Sequence, residues 1–349
     1  MTLLIRSSGT AHMRRRLDEV LRYVRFFRPG FTADNLTAVS GDVTRERLGL
    51  PEHEYARLAR CVTHVVHSAA SVDLAGSYGA LRHSNLVGTR HVSRFAEQCR
   101  DLSCLLVLST AYVAGRRSGD ILERELDCGQ DFLNHYERSK FDAELLVRSR
   151  SDQVPTVIVR PSIVVGDSRD GHVLSFQHMY VPLYYIGAGA IREHPGDQEA
   201  LLDVVPVDYV AEVVTRVLAA PACVGNVYHA CGGVENLLPF ASLRDAARLA
   251  LTERAPGARS PRSGPSSSPA LVRRLSHLFQ YLGSTKRFSV AELARDLGDQ
   301  APRCPHPEDY LPRLMAFWRS TDFGRRMPWA DPRPAAAERD ALREAGGRC

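Results

Sequence analysis

The chain has 349 residues, 44% hydrophobic and 24% charged, the balance of an ordinary globular protein with one large or two smaller domains. A chain this long buries about three quarters of its unfolded surface, so disorder throughout is excluded and no covalent staples are needed. The net charge of +5 comes from scattered basic residues, which does not indicate nucleic acid, and no run approaches the ~20 apolar residues of a membrane span.

Met1 leads through a short apolar run, Leu3 to Ile5, into Arg14, Arg15 and Arg16, the wrong order for an export signal. From Ala11 to Phe27 the residues Met13, Leu17, Val20, Leu21 and Val24 fall at helical spacing. Leu36 to Val39 reads as a strand ending at Gly41-Asp42-Val43, and Val62 to His67 as a strand ending at Ser68-Ala69-Ala70. Residues 77–99 read as a helix. Leu105 to Leu108 is a strand ending at Ser109-Thr110, residues 135–150 are a helix, and Val157 to Arg160 is a strand stopped by Pro161. This alternation predicts an α/β fold, a doubly wound parallel sheet with helices on both faces.

Residues 171–202, with Gly187, Gly189 and Pro195, read as an irregular, substrate-side insertion. Leu202 to Val205 and a helix from Asp208 to Leu218 resume the pattern, closing a first domain over 1–230. Residues 231–330 read as a smaller, mainly helical region. It contains a Pro/Gly/Ser-rich flexible loop at 256–269 and an aromatic cluster at Tyr310, Phe317 and Trp318. The Ala/Arg/Glu-rich tail, 331–349, reads as disordered. Eight cysteines show no CxxC spacing, so neither a zinc knuckle nor a redox motif is present; without an export signal, reduced thiols in the cytoplasm are expected.

The chemistry concentrates in Tyr136-Glu137-Arg138-Ser139-Lys140. Tyr and Lys at i and i+4 share one helix face. A cation there lowers a phenol's pKa from about 10, so that the hydroxyl exchanges a proton near neutrality. Lys140 and Lys286 are the only lysines in the chain; the other 43 basic residues are arginine. Upstream, Leu108-Ser109-Thr110-Ala111-Tyr112-Val113 delivers hydroxyls at the C-terminal end of a strand, where open α/β sheets bind ligands. A hydroxyl there can steady the oxyanion formed on hydride transfer to a carbonyl. His64 and His67 point to opposite faces of a strand, which excludes a metal pair, and no GxSxG nucleophile elbow exists.

A strand-end hydroxyl, a helix with YxxxK and a strand ending Arg160-Pro161-Ser162, in that order, resembles the extended short-chain dehydrogenase/reductase family over about residues 3–220. Within it the phrases HSAASVD (67–73), LSTAYVAG (108–115) and DVVPVDYVA (203–211) resemble the thioester-reductase and fatty-acyl-CoA-reductase branch, also called male-sterility-type. The resemblance implies a Rossmann-like NAD(P)-binding domain and a set of roles. Tyr136 would donate the proton to the carbonyl oxygen and Lys140 would hold the nicotinamide ribose. Thr110, with Ser109 beside it, would bind substrate, and Asn85 would be the helix asparagine of the NxxGT phrase. Asp42 and Val43 would contact adenine, Ala69 and Ala70 would lie against the cofactor, and Pro161 to Ile163 would contact the carboxamide. Arg6, with no acid beside it, suits the 2′-phosphate of NADP over NAD.

One departure stands out. The family opens with a strand and a GxxGxxG turn that cradles the pyrophosphate, and this sequence starts at the family's second strand. Removing a central strand leaves a gap, not a shorter edge; a start codon assigned too late, or a truncated gene, accounts for it. Three functions follow. The first is an NADPH-dependent reductase of an acyl thioester of coenzyme A or an acyl carrier protein, giving aldehyde or alcohol. The second is a sibling reductase or epimerase acting on a sugar nucleotide, sterol or flavonoid ketone, with Arg192 and Arg244 available to a diphosphate. The third is a non-catalytic remnant.

Overall fold

The computed structural model describes residues 1–176, 179–189, 191, 200–252, 279–281 and 285–329. The expected loop at 256–269, Pro195, Arg192 and the tail 331–349 lie outside the described residues.

Strand β1 (Thr2–Arg6) pairs in parallel with β2 (Thr37–Gly41), Leu4 opposite Val39. Helix α1 (Thr10–Phe27) joins them; just past its end Arg28 bonds Asp167 Oδ2 at 3.1 Å. Helix α2 (Glu52–Cys61) was not evident from periodicity. Pro51 precedes it, Glu52 and Glu54 sit at its positive end, and Tyr55, Leu58 and Ala59 form its buried stripe. After β3 (His64–His67) comes one helical run, α3 (Tyr78–Leu81), a π-helical turn (Arg82–Val87) and α4 (Gly88–Gln98). Next come β4 (Cys104–Leu108), β5 (Gly119–Ile121), α5 (His135–Arg148), β6 (Thr156–Pro161) and β7 (Ile163–Val165). The C-terminal part holds α6 (Tyr180–Gly187), β8 (Leu201–Pro206), α7 (Val207–Ala219), β9 (Val227–Ala230), β10 (Leu237–Pro239) and α8 (Phe240–Thr252). Strand β11 (Lys286–Phe288) and helices α9 (Ala291–Leu297) and α10 (Pro307–Ser320) follow.

The main sheet has the order β3-β4-β6-β9, every pair parallel. Its central strands read as continuous apolar runs because both faces are covered. Leu105, Val107 and Ile158 enter one core with α2 and α4; Leu106, Val157 and Val159 enter another with α7. Each such side chain contributes about 1.5–3 kcal/mol when fully buried. A third core joins α6, α8 and α10 around Tyr310 and Trp318. Here the expected irregular stretch contains a helix. Tyr180 to Gly187 is apolar on every side, so it carries no amphipathic period to read. Strand β6 stops at Pro161 as expected, with the proline itself as its last paired residue, opposite Ala230.

Strands β1 and β2 form a separate two-stranded sheet, and among the described residues nothing pairs with the outer edge of β3. Val66 of β3 is 47% exposed, whereas Leu106, its register partner on β4, is 0% exposed. Leu4 and Val65 both pack at the margin of the same apolar core.

Candidate active site

The C-terminal ends of β4 and β6 open on a cavity of about 300 Å³. Its floor is polar and its walls are apolar, with Val72, Leu74, Met179, Pro182 and Leu202 among them. Strand β4 ends at Ser109-Thr110. The Thr110 hydroxyl accepts from Tyr112 N at 3.3 Å, capping the short 3₁₀ turn Ala111–Ala114, and donates to Pro161 O at 3.4 Å. Helix α5 starts at Asn134, whose Oδ1 accepts from Glu137 N at 3.1 Å. One turn of that helix then places Tyr136 and Lys140 on the cavity floor. The Tyr136 hydroxyl meets that of Thr110. Lys140 is buried and its Nζ donates to Leu108 O at 2.7 Å.

The electrostatics differ from the sequence expectation in one respect. The Tyr136 phenol is not lowered but pushed up to about 12, because withdrawal from water disfavours the phenolate more than the Thr110 hydroxyl favours it. Lys140 is not among the groups that shift Tyr136: burial, the Thr110 hydroxyl and Glu137 are. Burial in turn pushes Lys140 down to about 8, against the pull of Glu144.

The cavity gathers Ser109, Thr110, Tyr136, Lys140, Ala70, Pro161 and Ile163. Ala69 is exposed beside it. Asn85 does not line the cavity. Its Oδ1 accepts from Ser71 N at 2.7 Å, and its Nδ2 donates to Ser71 O at 3.0 Å and Ser139 Oγ at 2.9 Å. It ties the π-helical turn to the loop after β3 and to α5. Arg6, Asp42 and Val43 stand apart at the ends of β1 and β2. Burial works against the Asp42 charge, but Thr44, Arg6 and Arg45 outweigh it and hold the carboxyl low. Val43 packs against Gly88, where a Cβ would lie 3.2 Å from Val43 Cγ2.

Several site residues gave no readable signal. Arg160 of β6 grips Glu144 of α5 through Nε (3.0 Å) and Nη2 (2.5 Å), both side chains 1% exposed. Asp203 of β8 accepts from Ser162 Oγ at 2.5 Å and Gly232 N at 2.9 Å, fixing the loop after β6. Tyr281 lines the cavity from a distant part of the chain. Lys286 is buried with its ammonium 5.9 Å from the Tyr112 ring centre, and its rarity was the one available signal.

His67 is buried against Thr89. Thr89 Oγ1 donates to Asn85 O at 2.5 Å, so it accepts from His67 Nε2 at 3.0 Å. Burial, helped by Lys140, pushes His67 down to about 3; burial and Arg160 do the same to His229. Both stay neutral in the fold but bind a proton near pH 6.5 when unfolded, so their stabilisation is complete above 6.5 and is lost as pH falls below it. Urea unfolding at pH 5.5 against 6.5 is expected to show about 1 kcal/mol lost per histidine, and His67→Gln to remove one share of that difference.

An NAD-binding family model described as Male sterility protein matches residues 1–214. The chain belongs to that family. Among curated members, the non-canonical nonribosomal peptide synthetase FrzA of Cladobotryum sp is 29% identical over 65% of this chain and 23% of its own length. Fatty acyl-CoA reductase 2 of Arabidopsis thaliana is 25% identical over 62% of this chain and 45% of its own. The chain thus spans less than half of these relatives. Two solved structures share the male-sterility fold. The terminal R domain of the myxalamid PKS-NRPS pathway has a TM-score of 0.74 at 24% identity, covering 92% of this chain and 84% of that one. The reductase domain of a Mycobacterium tuberculosis nonribosomal peptide synthetase has a TM-score of 0.67 at 20% identity, with the same coverage. The family, the α/β class and the resemblance to its thioester-reductase branch therefore stand. Among the described residues no helix is long and apolar enough to cross a membrane.

Proposed function

We propose that the chain is a reductase of acyl thioesters that uses NADPH in preference to NAD, works in the cytoplasm, and takes its acyl group from coenzyme A or an acyl carrier protein. The observation that carries this reading is the convergence of Thr110, Tyr136 and Lys140 on one cavity whose remaining walls are apolar. The donor set suits a nicotinamide riboside: a buried ammonium at Lys140, a phenol and a hydroxyl beside it, and the backbone of Pro161 to Ile163 opposite. Bound there, a reduced nicotinamide supplies hydride. The chain's own residues do the rest. Thr110 and Tyr136 hold the carbonyl oxygen as charge develops on it, and the high pKa of Tyr136 keeps its proton in place until then. Lys140 orients the ribose, the apolar walls exclude water from the acyl carbon, and Arg6 meets a 2′-phosphate. The named relatives include fatty acyl-CoA reductases and nonribosomal peptide synthetases, which supports thioesters as the substrate class. Free thiols at all seven described cysteines suit a reducing compartment.

The sugar-nucleotide reading has less behind it: Lys140 is the one cation lining the cavity among the described residues, and Arg244 is paired with Asp245 at 2.9 Å. The non-catalytic reading has one observation in its favour, the unpaired edge of β3. A single assay separates them. The purified chain is given NADPH and an acyl-CoA series while nicotinamide absorbance and free thiol are followed. One NADPH lost per thiol gained is expected if the product is the aldehyde and two if it is the alcohol, with NADH slower. A folded chain that neither binds nor consumes NADPH establishes the non-catalytic reading instead.

A further inference from the structure

Thioester reduction places charge on two atoms, the carbonyl oxygen and the departing sulfur. Thr110 and Tyr136 serve the first. Three further tyrosines line the same cavity, Tyr112, Tyr180 and Tyr281, and Tyr281 is the one beside a buried carboxyl. Its ring meets the edge of Tyr112 with centroids 4.7 Å apart. Its hydroxyl oxygen accepts from Asn134 Nδ2 at 2.8 Å, so its own proton is directed elsewhere. Behind it lies Glu137, 0% exposed. Glu137 Oε2 accepts from Leu133 N at 2.8 Å, Oε1 forms no hydrogen bond of ordinary length among the described residues, and the Tyr281 hydroxyl lies near the carboxyl. Lys286 from β11 and Arg116 are the cations facing that carboxyl.

We propose that Tyr281 is the acid for the departing sulfur and that Glu137 is the proton store behind it, an inference that rests on the thioester reading above. The two electrons come from the reduced nicotinamide. Once hydride has added to the carbonyl carbon, the oxygen returns its proton to Tyr136 as the C=O bond re-forms. The C–S bond breaks with its electron pair going to sulfur. Sulfur takes the Tyr281 hydroxyl proton, Tyr281 takes that of Glu137, and the Glu137 carboxylate is left beside Lys286 until solvent reprotonates it. Burial pushes Glu137 up to about 7, so it holds a proton near neutrality, and a thiol with an ordinary pKa of about 8.5 accepts that proton downhill. The Tyr281 phenol is raised by burial, so it passes a proton on only as it receives one.

The test compares an acyl-CoA with its matching aldehyde, which has no sulfur to expel. In Tyr281→Phe the ratio of thioester to aldehyde turnover is expected to fall about 10²-fold, at the low end for a lost general acid. Glu137→Gln is expected to lower the same ratio and to abolish the decline of thioester turnover as pH rises through 7. Difference infrared spectra of wild type against Glu137→Gln, taken without substrate, are expected to show a protonated-carboxyl band at pH 6 that fades by pH 8. Because the ratio is internal to each variant, partial misfolding does not move it. Wild-type thioester turnover with an unchanged ratio in Tyr281→Phe overturns the role of Tyr281. A wild type that reduces aldehydes but no thioester overturns the substrate reading itself.

Discussion

Replacing Tyr136 with Phe is expected to cut turnover by about 10²–10⁴-fold while leaving the circular dichroism spectrum and the urea midpoint close to wild type. The hydroxyl is the group that meets Thr110 and faces the cavity, and the ring stays packed when the oxygen goes. The loss belongs in kcat, because the hydroxyl acts on charge that develops after binding. Lys140→Met should differ. It removes a buried ammonium that spans from α5 to Leu108 O, so nucleotide affinity falls together with turnover. Turnover within about twofold of wild type in Tyr136→Phe removes the proposed mechanism.

The largest stability effect is expected from Glu144→Leu. It strands Arg160, 1% exposed, with neutral acceptors alone for its charge: the carbonyls of Glu123 (3.1 Å) and Glu125 (2.8 Å) and His229 Nε2 (3.4 Å). Breaking a buried pair in this way costs about 3–5 kcal/mol, read as a lower urea midpoint at unchanged slope. Arg160→Met should cost less, because Arg148 still holds Glu144 Oε1 at 2.9 Å and is itself 30% exposed. Removing both partners together should recover part of the loss, since no charge is then left buried without a partner. Equal costs for the two single variants would show that Arg148 does not share the Glu144 charge.

How much was legible depended on whether a residue's role was local. The alternation of strands and helices over the first 160 residues was readable because β4 and β6 are unbroken apolar runs and α5 has a cap and a buried stripe. The Tyr136–Lys140 pair was readable because helical geometry alone brings i and i+4 together. Helix α6 was not, because a segment apolar on all sides has no period. Tyr281 and Glu137 were not, because their meeting depends on residues 144 positions apart folding to one place. The direction of the Tyr136 shift was misjudged for a related reason: spacing says that a cation is near, but not how dry the pocket is.

The two strand edges that no described strand pairs with have a colloidal consequence. Strands β1 and β3 each keep a row of backbone N–H and C=O groups that no described strand satisfies, and the exposed Val66 sits on one of them. Such rows template cross-β pairing between molecules. Loss of soluble protein should therefore steepen with concentration well below the thermal midpoint, and a lysine placed at Val66 should slow it without touching the cavity.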